Sequence, residues 1–91
     1  MTVKQAFKKL QWETEEKIYR PMYDIDFVNE EGEVDEVQFT TSASDSENEL
    51  CELFEKFCKE NGSRKNSVIS ITLVGNDDEF LRRWRERHEN I

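Results

Sequence analysis

The stretch from Met22 to Thr40 constrains this chain more than any other. Two runs of alternating apolar and polar residues flank Asn29-Glu30-Glu31-Gly32-Glu33. Alternation on both sides of a short Gly-bearing connection reads as a β-hairpin. A three-residue loop, Glu30-Glu31-Gly32, places glycine where a type I turn with a bulge needs a left-handed residue. That loop pairs Asn29 with Glu33, then Val28 with Val34, Ile25 with Val37 and Tyr23 with Phe39. One face then carries Tyr23, Ile25, Phe27, Val37 and Phe39, and the other Asp24, Asp26, Glu36 and Gln38. The pattern slips near the turn, where Val28 and Val34 join the acidic face and Asp35 the apolar one. Elsewhere turn chemistry and hydrophobic pattern select the same register.

The flanking segments supply helices and a third strand. Residues 2–19 are expected to be helical, opened by a Thr2/Gln5 capping box, with Val3, Phe7 and Leu10 on one stripe and Pro21 as the stop. Gln11-Trp12-Glu13-Thr14 breaks that stripe. The helix either runs on with Trp12 off its apolar face or ends near Leu10 before an extended segment. Residues 45–61 form a second helix, with overlapping capping boxes at Ser44/Glu47 and Ser46/Glu49. Leu50, Leu53, Phe54, Phe57 and Cys58 make its buried stripe, and Gly62 follows its last turn. Val68 to Val74 alternates, placing Ile69, Ile71 and Leu73 on one face and Ser70 and Thr72 on the other. Gly75 is expected to end that strand. Asn76 is expected to cap a last helix carrying Phe80, Leu81, Trp84 and Ile91 on its apolar side.

These elements predict an α+β fold in the order α-β-β-α-β-α. The sheet is expected to be three-stranded and mainly antiparallel, in the order 2-1-3. Each strand has one polar face, so the helices are expected on one face only. A right-handed crossover joins the second strand to the third. At 91 residues the chain is read as a single domain, residues 1–91. The periodic apolar blocks argue against disorder although 37% of residues are charged.

Net charge is −8, and it is concentrated: residues 21–61 hold thirteen acids against two lysines. Such a field repels nucleic-acid phosphate and anionic membrane and attracts basic partners. No apolar run is long enough to span a bilayer, and no lipidation pattern or signal segment is seen, so a cytoplasmic location is expected. Two cysteines, Cys51 and Cys58, sit about 10 Å apart along the expected helix, too far for a disulfide, and read as free thiols in the core.

Chemistry-bearing patterns are few. Asp26 and Glu36 face each other across the expected ladder with Asp24 one step along, an arrangement that costs a few tenths of a kcal/mol. A flat strand pair does not converge carboxylates on a cation, and a solvent-facing one does not desolvate them for acid–base work, so neither metal, cofactor nor catalytic residue is assigned. The hydroxyls of Thr41, Ser42, Ser44 and Ser46 read as turn and cap contacts. Arg82, Arg83, Arg85 and Arg87 offer phosphate ligands, but five acids share their segment, so nucleic acid is not the expected partner. His88 reads as a boundary residue. In size and charge the chain resembles the small inhibitor proteins encoded by bacteriophages and mobile elements, anti-CRISPR proteins and other nucleic-acid mimics among them. The expectation is a non-enzymatic binding protein docking on a basic protein partner through Asp24, Asp26, Glu30, Glu31, Glu33 and Glu36. The alternatives are a nucleic-acid-binding domain acting through the arginines and an interaction or structural domain.

Overall fold

The computed structural model describes residues 1–12, 17–77, 82 and 85–87. The elements run α1 (Val3–Phe7), β1 (Gln11–Trp12), β2 (Pro21–Val28), β3 (Val34–Thr40), α2 (Ser46–Asn61) and β4 (Val68–Asn76). Arg82 and residues 85–87 are helical again. The remainder of the expected last helix, including Asp78, Glu79, Phe80, Leu81, Arg83, Trp84, His88 and Ile91, lies outside the described residues.

The α+β class holds, and the sheet corrects the expectation in its detail. Four strands, in the order β1-β4-β2-β3, replace three, and the sheet is mixed because β1 runs parallel to β4. The helix expected over residues 2–19 stops at Phe7. Its Thr2/Gln5 capping box is present in full, but five residues of helix are held by packing rather than by propensity. Val3 and Ala6 are buried, and the Phe7 ring lies 5.9 Å from that of Tyr23. The chain then extends, and Gln11 and Trp12 pair with Thr72 and Leu73. This is the second of the two alternatives the sequence leaves open, an extended segment after Leu10, but two residues show no period that would mark them as a strand of the sheet. Pro21, whose missing N–H rules out most ladder positions, opens β2, as an edge or first position allows.

The hairpin has the derived register. Val28 faces Val34, Asp26 Glu36, Ile25 Val37 and Tyr23 Phe39. Gly32 has φ 79°, and the Asn29 N–H donates to the Glu33 carbonyl at 2.8 Å. The Asn29 carboxamide organises the loop by accepting from the N–H groups of Glu31 (2.9 Å) and Glu33 (3.0 Å).

Strand β4 departs from simple alternation. Asp26 faces Ser70 and Phe27 faces Val68, so Ile69 has no partner of its own, and a second slip near Met22 leaves Val74 in the same position. Each extra residue resets which side chains point inward. Val68, Ile71 and Leu73 are buried, whereas Ile69, expected inside, is 42% exposed. Nor does Gly75 end the strand or Asn76 begin a helix: both belong to β4. Asn76 is 5% exposed, and its Oδ1 accepts from the N–H groups of Tyr19 (2.9 Å) and Arg20 (3.1 Å). Its Nδ2 donates to the Lys17 carbonyl at 3.0 Å, so Asn76 ties the entry to β2 onto the end of β4.

Helices α1 and α2 lie on the face of the sheet that presents Tyr23, Ile25, Phe27, Ile71 and Leu73. Leu50, Phe54 and Cys58 of α2 close the core from above. Phe27 meets Phe54 and Phe57 edge-on at 5.6 and 5.4 Å. Side chains buried to this degree each contribute about 1.5–3 kcal/mol. Helix α2 starts after Asp45, whose side chain makes no capping bond, so neither expected capping box forms. The Glu49 carboxylate instead reaches back to Ser42, accepting from its N–H (2.7 Å) and its hydroxyl (2.6 Å). Ser46, inside the helix, takes a hydrogen bond from Thr41 (2.9 Å) and donates to the Ser42 carbonyl (2.9 Å). Gly62 ends the helix at φ 73°.

Candidate docking face

The alternation in β2 that buries Tyr23, Ile25 and Phe27 turns Asp24 and Asp26 to the opposite face of the sheet. The ladder places Glu36 directly across from Asp26 and Gln38 across from Asp24. Gln38 Nε2 donates to Asp24 Oδ1 at 2.8 Å, and the Ser70 hydroxyl approaches Asp26 Oδ2 at 3.4 Å. Neutral donors therefore flank Asp24 and Asp26, and Asp26 and Glu36 are like charges in facing positions. Glu30, Glu31 and Glu33 continue the acidic surface around the loop, all exposed.

Of the six expected site residues, Asp24, Asp26 and Glu36 share one sheet face, and Glu30, Glu31 and Glu33 lie at its end. Glu30 is also turned back toward α2: a side chain at Gly62 would collide with its carboxylate. That sets an acid beside the negative end of a helix, the less favourable end for it. Arg64 and Lys65 line the same cleft as Glu30 and Gly62 and supply opposite charge there.

Three apolar side chains join this surface. Val28 faces Val34 at the turn end of the hairpin, and both are exposed, Val34 to 69%. Ile69 is the third, and only the slip in β4 brings it out. No sequence signal marks that slip, although Val28 and Val34 are legible from the loop register.

The other candidate chemistry resolves into structure. Burial raises the pKa of both free thiols above the ordinary 9.0, with Glu47 adding to the rise at Cys51 and Glu55 at Cys58. The inert thiol therefore dominates at neutral pH. The hydroxyls of Thr41, Ser42 and Ser46 are spent on one another and on Glu49. Among the described residues no group of three His, Cys, Asp or Glu side chains is placed to hold a metal ion. No helix among them is long and apolar enough to cross a membrane. Arg82, Arg85 and Arg87 are exposed on helical backbone, and Arg82 lies 4.0 Å from Glu86.

No protein-family model, no curated protein and no solved structure matches the chain.

Proposed function

We propose that this chain is a small acidic protein-binding domain, without catalytic chemistry of its own, that docks on a basic surface of a partner protein. The observation carrying this reading is the facing pair Asp26 and Glu36, with Asp24 beside it, on the sheet face that among the described residues carries no part of the buried core. Like charges across a ladder oppose pairing, and a cationic partner relieves them. Basic patches of this kind are what nucleic-acid-binding proteins offer to phosphate. Occupying such a patch would make the chain an inhibitor, the role of the mobile-element proteins it resembles in size and charge. Phosphate binding through the arginines is less favoured, because the net charge of −8 steers polyanions away.

The test is affinity capture from lysate at low and high salt, using the native chain and the combined variant Asp24→Asn, Asp26→Asn, Glu36→Gln. Capture is expected to weaken with salt and to be lost in the variant. A partner retained equally by the variant would sink this reading.

A further inference from the structure

The proposed docking face ends at β3, an edge strand of the sheet among the described residues, and that edge has its own binding chemistry. Among the described residues β3 pairs on one side only, with β2. The bonds from Asn29 N–H to Glu33 and from Thr41 N–H to Pro21 fix which residues point which way. Antiparallel ladders alternate, so residues 35, 37 and 39 bond to β2, whereas Val34, Glu36, Gln38 and Thr40 direct their main-chain groups to the open edge. The Glu36 N–H is met by the Asp35 carboxylate at 2.8 Å. Natural edges are blunted by charge, proline, a bulge or short length, and the charge on β3, Asp35 and Glu36, is of the sign that repels an acidic strand and admits a basic one. Strand β3 is seven residues long, has no proline or lysine, and pairs with β2 without a register slip.

The edge also has a floor. On the helix side, Val37 and Phe39 are half-buried, and the Phe39 ring stands 6.3 Å from Phe57 of α2. Recesses open at both ends of this side, one between Thr40 and Leu53 and the other between Asp35 and Phe57. Glu52 borders the first, with Lys56 beside it, and Glu30 and Glu31 border the second.

Resting on the docking reading above, we infer that the partner is engaged by strand addition: an extended segment of alternating basic and apolar residues pairs along β3 and lays its apolar side chains between β3 and α2. Main-chain bonds supply affinity in this mode, and alternate side chains supply selectivity. Charge decides the occupant. Residues 30–36 carry five acids and no base, so a second copy would bring like charge to like charge, whereas a strand with its bases on one face sets them against the sheet face of Asp24, Asp26 and Glu36.

The probe is an acetylated, amidated octapeptide of alternating Lys and Val at low salt, with two isomers N-methylated at either all Lys or all Val. Strand addition uses the N–H groups of one set only. One isomer is therefore expected to bind about tenfold or more weaker than the parent, and the other to bind nearly as well. Amide exchange at Val34, Gln38 and Thr40 is expected to slow in the complex. Gln38→Pro, which removes an outward N–H and leaves the β2 ladder intact, is expected to abolish binding while retaining cooperative unfolding. Equal binding by all three peptides, with changes confined to Asp24 and Asp26, overturns strand addition and leaves charge docking standing. Binding by none of them overturns it too, as does protection of β3 in the free protein with a doubled hydrodynamic mass.

Discussion

Replacing Asn76 tests the least expected contact in the fold. If Asn76 were a helix cap, Ser and Asp would replace it at little cost, and Ala would cost about 1 kcal/mol. The structure gives it a different task. Its carboxamide makes three hydrogen bonds to the main chain of Lys17, Tyr19 and Arg20 from a position that is 5% exposed. At the usual net value per bond, Asn76→Ala should cost about 2–4 kcal/mol. A domain of this length has about 5–14 kcal/mol of stability in all, so the loss should appear as a fall in Tm of roughly 10–25 °C. Asn76→Ser, whose hydroxyl is too short to span these groups, should cost the same as Asn76→Ala within about 0.5 kcal/mol. Asn76→Asp keeps the two accepted bonds but turns an anionic oxygen toward the Lys17 carbonyl, so it too should destabilise. Urea unfolding followed by far-UV circular dichroism measures all three. A Ser variant as stable as the native chain would refute the strut and restore the cap.

Three further substitutions probe the slip in β4 and the base of α2. Ile69→Thr should leave stability within about 0.5 kcal/mol of the native chain, whereas Ile71→Ala should cost about 2–5 kcal/mol; equal losses in denaturant unfolding would remove the slip at Ile69. Hydrogen bonds from the Ser42 hydroxyl and N–H hold the Glu49 carboxyl below its ordinary value of 4.5. A depressed folded-state pKa contributes stability above the unfolded value and loses it as pH falls through the folded one. Glu49→Gln should therefore be less stable than the native chain near neutrality, with the difference shrinking below about pH 4.5 in denaturant midpoints taken across the acid range. A difference that stays constant down to pH 3 would contradict this.

The hairpin was legible because two independent signals, the Gly32 turn and the alternation around Ile25, agree on one register. Helix α2 was legible from its stripe, yet its start was not, because Ser42, Ser44, Asp45 and Ser46 all suit a cap and only the tertiary position of Glu49 chooses among them. The errors cluster around β4. An unpaired residue at Ile69 leaves no local mark, since Ile suits either face of a strand. Gly75, at φ 142°, looks like a strand terminator but sits within β4, where its conformation is closed to other residues. Asn76 looked like a cap because Asn followed by acids favours one, and its main-chain partners lie 56–59 residues away in sequence. Of the docking face, the acids could be placed by register alone, whereas Ile69 required the slip.

Under the docking proposal, the charge on this face does more than keep it solvated. A surface that only needs to stay hydrated is served by mixed signs, and lysine protects a free edge as well as glutamate does. From Pro21 to Glu55 the chain has twelve acids and no lysine or arginine. That span includes all of β3, a strand with no fully buried residue, so core packing places little demand on its composition. Purity of sign is maintained there despite two local costs, Asp26 facing Glu36 and Glu30 turned toward the negative end of α2. A lysine in place of Asp26 or Glu36 would relieve the first, and one in place of Glu30 the second. A field of one sign at a free edge is what steers a cationic partner and repels a second copy of the same chain. The composition of β3 and its position at the sheet's border therefore support the same proposal, a basic segment as the partner.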